Sequence, residues 1–318
     1  MASQFDQFDL RALLLKLETV EGDDAAPTGA ADALQIINGS GGLSAEQLER
    51  EIDRPFFGGR KATRISQAMN WAGDIELVGA AAPGTAAPIS SVLQIAGHAE
   101  TLDVTTPGDE NTEYNPISTG IPSATAYWYQ GGEVQKGVGS RAQLDQILLE
   151  MNNFPRASLT GIAFPLANEE APLPTADTSA FQEPPAIITE TATVTVDGTT
   201  LDGLSLELNM NANVPLVATT ERRITRLTAR NPQGTLRIFR EERSVIDMRD
   251  IIRSGALVPI VWTVSQAGGQ VIKLTMPLAQ LFDPEFSEEE GMLVWDVPFR
   301  AIPSGSGNDE YLLNFATA

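Results

Sequence analysis

The chain has no cysteine, which excludes a disulfide framework, a thiolate metal site and a cysteine nucleophile. It has one histidine, His98, so a serine–histidine triad would have to use it, and no G-x-S-x-G elbow is present to carry the serine. His98 directly follows Gly97, read as a helix cap, so a solvent-exposed loop residue is expected there and not a general base. The H-E-x-x-H zinc helix, the G-x-x-x-x-G-K-[ST] phosphate loop and a G-x-G-x-x-G turn are all missing. No run approaches the roughly 18 uncharged apolar residues that span a bilayer, and no basic region leads into an apolar core at the N-terminus. A soluble chain without membrane insertion, cofactor or metal is therefore expected, and not an enzyme.

Basic charge is scarce: 21 Lys and Arg face 42 Asp and Glu, a net charge of -21. Such a surface does not grip nucleic-acid phosphates, which requires clustered cations. Only Lys16, Lys61, Lys136 and Lys273 are lysine, and the remaining cations are arginine, suited to bidentate pairing with carboxylates at defined interfaces.

With 318 residues, 42% of them hydrophobic, the chain can bury real cores and is long enough for two domains. One order of elements reads twice. In the later copy a strand, Gly234–Phe239, leads to a helix over Ser244–Ser254 closed by Gly255. Strands at Val258–Gln266, Gln270–Met276 and Gly291–Val297 come after it. The earlier copy offers Gly73–Val78, a helix at Ile89–Ala96 closed by Gly97, then Ala124–Gln130, a Gly131-Gly132 turn, Glu133–Lys136 and Thr160–Pro165. Asn38-Gly39 and Arg64-Ile65 recur at one offset as Asp197-Gly198 and Arg223-Ile224, which supports an internal duplication.

The leucines at 10, 13, 14 and 17 share one helical face, predicting a helix within Phe8–Val20. Ala33–Ile37 reads as a strand entering a turn at Asn38-Gly39, and Lys61–Val78 as two strands bent or turned at Trp71-Ala-Gly73; in Gly42–Arg60, Ser44 with Gln47 fits a helix capping box, but analogy with the alternating Leu204–Leu208 favours a strand. Gln143–Met151 fits helix and strand alike. The stretch His98–Pro122 reads as a functional or interface loop, and Thr191–Val196 as a hairpin with Leu204–Leu208 across the Asp197-Gly198 turn. The expected units are an N-terminal helix and arm (1–32), a first domain (33–166), a Pro-rich linker (167–190), a second domain (191–303) and a C-terminal arm (304–318) whose Tyr311–Phe315 can dock.

Two charge clusters stand out. Asp283, Glu285, Glu288, Glu289 and Glu290 gather around Pro284 as a solvated loop, without the D-x-D-x-D-G order of a calcium site. Arg222, Arg223, Arg226, Arg230, Arg237, Arg240, Arg243, Arg249 and Arg253 are interleaved with acids, and Phe239 is their only aromatic. That suits either a salt-bridged surface or a subunit interface that meets acidic loops of a neighbour, and not a nucleic-acid patch. Candidate interface residues are Arg222, Arg223, Arg226, Arg237, Arg240, the five acids, Tyr311 and Phe315. Tyr127, Trp128 and Tyr129 are either core or a glycan platform, which keeps a carbohydrate-binding or adhesive β-protein open. A two-carboxylate hydrolase also stays open.

Leu15-Lys-Leu-Glu-Thr-Val-Glu-Gly22, Trp71–Gly79 with the helix ending Ala96-Gly97, Tyr114–Ser118, Gly139–Ala142 and Gly307–Phe315 carry a resemblance in order along the chain. Taken together, the chain resembles the major tail proteins of phages with non-contractile tails. That resemblance implies a mainly β (α+β) fold of two tandem tail-tube-type antiparallel β-barrel or sandwich domains, each with one flanking α-helix, plus extended arms and loops. It implies a virion protein, assembled in the host cytoplasm, whose homo-trimeric rings with pseudo-sixfold symmetry stack into a tube; a homo-hexamer is implied if there is no duplication. Genomic DNA would cross an acidic lumen without specific binding. The tape measure protein, tail terminator and tail-tip proteins would be partners, and the arms 1–32, 98–122 and 304–318 would reach adjacent subunits.

Overall fold

The computed structural model describes residues 10–80, 82, 84–104, 111–265 and 269–317. Strands make up 53% of it and helix 4%, so the fold is mainly β. The first half contains β1 (Arg11–Leu17), β2 (Ala33–Leu34), β3 (Ile37–Glu49), β4 (Ala62–Glu76), α1 (Ser90–Ile95), β5 (His98–Asp103), β6 (Asn111–Pro116), β7 (Ala124–Gln130), β8 (Glu133–Glu150), β9 (Arg156–Pro165) and β10 (Glu169–Glu170). The second contains β11 (Ala192–Val196), β12 (Thr199–Leu201), β13 (Gly203–Asn209), β14 (Leu216–Ala218), β15 (Arg223–Thr225), β16 (Gln233–Phe239), α2 (Met248–Ser254), β17 (Leu257–Ser265), β18 (Gln270–Leu281), β19 (Glu285–Glu289), β20 (Met292–Ala301) and β21 (Leu312–Thr317).

The first leucine run is a strand and not the expected helix. Leu13, Leu14 and Leu15 are all buried, and consecutive residues on a helix point about 100° apart, so a helix on one surface cannot bury all three. A strand with cover on both faces can: Leu13 and Leu15 enter the main core, while Leu14 packs with Ala33, Tyr127 and Val134. Each burial is worth about 1.5–3 kcal/mol, more than the small helix propensity of leucine.

Other expectations shift in instructive ways. Asn38-Gly39 is a bulge and not a hairpin turn: the β3–β4 register slips between Ile37 and Ser40, and Asn38 has φ 52°. The stretch from Ala62 to Glu76 is one strand, unbroken at Trp71-Ala-Gly73. Gln143–Met151, readable either way, continues β8 as far as Glu150. Asp197-Gly198 does turn a hairpin, but its returning strand is β12, and β13 pairs with β16 and β8 instead. The second helix begins at Met248, four residues after the expected Ser244. His98 to Pro116 is a hairpin, β5–β6, apart from residues 105–110, which lie outside the described residues.

Pairing has the same order in both halves. The first runs β3-β4-β9-β8, and the second runs β13-β16-β20-β19. The C-terminal half of β8 then pairs with β13, Glu150 opposite Ser205 and Gln146 opposite Asn209, so one antiparallel sheet passes from half to half. Facing it across the core lie β7, β1 and β2 in the first half, and β17, β11 and β12 in the second. Strand β21 pairs with β18 of the second half and β6 of the first. A single cluster of buried side chains runs through both halves, from Leu13 and Trp71 to Trp262 and Phe299.

Candidate interface: the shared sheet and its two free edges

Strand alternation gives the shared sheet two faces. Met69, Trp71, Leu144, Ile147, Leu149, Leu159, Leu206, Leu236 and Val297 point into the core. Their neighbours on the opposite face are polar: Ser158 donates to Asp74 Oδ1 at 2.6 Å, Thr160 to Asp145 Oδ2 at 2.7 Å, and Asn209 to Glu207 Oε1 at 2.8 Å. The pairing register puts Asp74, Glu76, Asp145, Glu150, Glu207, Glu285, Glu289 and Asp296 on this face, against Arg156, Arg237 and Arg300. Carboxylates dominate a surface whose hydrogen bonds tie side chain to side chain, across strands at Asp74 and Asp145 and along β13 at Glu207.

The sheet ends on strands with one partner each among the described residues. Strand β3 pairs only with β4, and β19 only with β20. An exposed edge of this kind presents unpaired N–H and C=O groups to any matching strand. Strand β19 also corresponds to the C-terminal half of β8. Each forms the hairpin with the next strand of its half, β20 or β9, but β8 has β13 on its far side and β19 has no such partner among the described residues.

The junction between halves is held by charge as well as by strands. Arg141, 3% exposed, donates from Nη1 to Thr225 O at 2.6 Å and to Glu21 Oε1 at 2.8 Å, and from Nη2 to Ile121 O at 3.1 Å. The hydrogen bond from Arg141, with added attraction from Arg226, holds the Glu21 carboxyl below its usual range. Arg230 and Glu310, both largely buried, pair at 3.1 Å.

These contacts place the expected interface residues. Arg226 pairs with Glu21 and Arg237 with Glu289 at 3.0 Å and Asp296 at 3.3 Å, so part of the arginine cluster meets acids of its own chain. Arg222, Arg223 and Arg240 are exposed and have no ion pair among the described residues. The acids Glu285, Glu288 and Glu289 lie on strand β19 and not in a loop; Glu290-Gly291 makes its turn, and Asp283 precedes it, exposed. Tyr311 and Phe315, expected at a subunit surface, are 1% and 2% exposed inside this chain because β21 fills the slot between β6 and β18. In their described parts the arms at the N-terminus, at 98–122 and at the C-terminus all pair within the chain.

His98 is the clearest correction. It is 2% exposed, its Nδ1–H donates to Leu93 O at 2.9 Å, and its Nε2 accepts from the Tyr311 hydroxyl at 2.6 Å. Burial first, then the nearby Arg230 charge, lowers its pKa from 6.5 to about 4. Gly97 caps the helix as expected, but the β5–β6 hairpin and β21 cover the histidine beside it, and neither cover is visible in the local sequence.

Trp128 and Tyr127 are also core, at 1% and 6% exposure. The Trp128 ring lies so close to Gly41 that a Cβ there would approach within 2.5 Å, which takes Trp128 out of any exposed platform, while Tyr129 is half-buried beside Tyr127. Among the described residues no group of His, Cys, Asp and Glu could hold a metal ion, and no helix is long and apolar enough to cross a membrane. Neither family models nor curated proteins give a match to the chain.

Proposed function

We propose that this chain is a structural subunit of a non-contractile phage tail tube, built as two tandem tail-tube-type domains. The observation that carries the reading is the shared sheet, in which the first half hands over to the second through β8 and β13 while β3 and β19, at its ends, have one partner each among the described residues. If β19 of one chain meets β3 of the next as β8 meets β13, the sheet propagates by a fixed step and a closed ring pairs both ends of the shared sheet. Three chains then give six domain-sized units, and stacked rings give a tube. The carboxylate-rich face of the sheet would line the channel, where like charge lets DNA pass without adhering. Under this reading the protein resides in the virion, and the tape measure, terminator and tip proteins are its partners.

Negative-stain microscopy of the purified full chain tests the assembly, with rings or tubes around a central hole expected. A population that stays monomeric at high concentration and low salt would sink the reading. The electrostatic part has its own check: cryo-electron microscopy should place Asp74, Asp145 and Glu207 on the channel wall, and a neutral or basic wall contradicts it.

A further inference from the structure

The meeting of the two halves supplies a template for the meeting of two chains. The connection between β13 and β16 leaves its own half and packs on the first. Thr225 Oγ1 donates to Gly139 O at 2.6 Å, and Arg230 Nη1 donates to Ile117 O at 3.1 Å. Leu227 lies over Gly97, which closes α1 at φ +87°; a Cβ on Gly97 would come within 2.7 Å of Leu227 Cδ2.

The corresponding connection of the first half, residues 50–61 between β3 and β4, is exposed along its length. Ile52 is 45% exposed, Phe56 65% and Phe57 106%. Neighbouring aromatics left this bare on a projecting hairpin are an interaction surface. The corresponding acceptor in the second half is equally bare. Gly255 closes α2 at φ +67°, and a Cβ added there meets nothing within 4 Å. Along α2 a cleft of about 440 Å³ has Ile246, Met248 and Trp295 as its apolar lining, with Arg240 and Arg249 beside the Arg243–Asp247 and Arg253–Asp250 pairs and Glu241 as its charged lining. Arg240 and Arg249 are exposed and without an ion pair among the described residues, and the Trp295 indole N–H is buried with no acceptor among them.

We infer that residues 50–61 of one copy dock on the exposed end of α2 in an adjacent copy of the same ring, as the β13–β16 connection docks on α1 within one chain. Phe56 and Phe57 take the apolar lining, while Glu51 and Asp53 face Arg240 and Arg249. The inference rests on the ring reading and names the contact that would close it.

The absence of cysteine makes the test clean, because every thiol present is one introduced. A Phe57→Cys, Ser254→Cys double variant of the full chain is oxidised after assembly and run without reductant. A disulfide requires Cα atoms within about 7 Å. The expected result is a ladder that ends at a covalent trimer, with single-cysteine variants giving at most dimers. Rings seen by microscopy without this bond overturn the inference and leave the ring reading standing. A ladder running beyond the trimer also overturns it, because the contact then lies between rings. With no assembly of any variant or of the native chain, both fall together. As a second readout, Phe57→Ser should raise the concentration needed for assembly by about tenfold with an unchanged unfolding midpoint; an unchanged threshold counts against the inference.

Discussion

The two helices occupy corresponding points of the two halves and are stabilised in opposite ways. Helix α1 has no side-chain cap, no acid in its first turn and no base in its last, yet Val92, Leu93 and Ile95 are fully buried. Helix α2 has Asp247 accepting from the Asp250 amide, Asp250 in its first turn, Arg253 in its last and Gly255 as a left-handed cap, and buries only Met248. At six and seven residues neither would persist as an isolated peptide. One is kept by tertiary cover and the other by its caps. Where cover is lacking, local signals are strong, and their strength marks a surface that stands alone in the single chain.

The largest separation between the two helices should come from truncating their apolar sides. Leu93→Ala is expected to cost about 2–5 kcal/mol in urea unfolding, and Ile252→Ala about half that or less. Equal losses would mean that α2 is as well covered as α1.

Between about pH 6.5 and 4, acid should act on the α1 side, since its Leu93 carbonyl is the acceptor for His98. With the folded pKa near 4 and the unfolded value near 6.5, the unfolded chain binds the proton first. The contribution of neutral His98 is therefore complete above about pH 6.5 and is lost as pH falls toward 4, on the order of 3 kcal/mol. The facing groups are Tyr311, Arg230 and Glu310. A His98→Gln variant should flatten this slope; the same slope in that variant would assign it to carboxylates.

Third in size are the two caps. Gly97→Ala and Gly255→Ala both force alanine into the left-handed region, worth about 1–2 kcal/mol each. Only at Gly97 must Leu227 also move, so its melting temperature should fall further. If the two fall equally, the β13–β16 connection is not tightly seated. The smallest effect is expected for Asp247→Ala. The hydrogen bond from Arg243 keeps the Asp247 carboxyl ionised below its usual range, so the difference from the native chain should persist into mild acid and vanish once that carboxyl protonates.

Legibility in the sequence divides along the same line between local and distant causes. Asp197-Gly198, Gly97 and Gly255 were readable because a positive φ is a property of one residue and its neighbours. The strands from Gly234 to Val297 were readable by alternation. The leucine run at Leu13–Leu15 misled because its spacing satisfies a helix, whereas its burial is decided by β7 on one side and β2 on the other. The local sequence puts His98 in solvent because Tyr311, which covers it, lies 213 residues away. For the candidate interface, the composition of the acidic and arginine clusters was visible. That Arg237 meets Glu289 and Asp296 within the chain was not, since it depends on β16 and β20 pairing in one register.

Strand β8 carries a further consequence, in hydrogen exchange. Between Gln146 and Leu148 it lies between β9 of its own half and β13 of the other, over a short shared stretch. In an antiparallel ladder, successive residues send their N–H groups to opposite sides. Alternate amides along these few residues are therefore protected by different events, one set until the first half opens and the other until the two halves part. A single peptide segment reports both free energies, and the gap between its alternating exchange rates measures how far the halves behave as one cooperative unit.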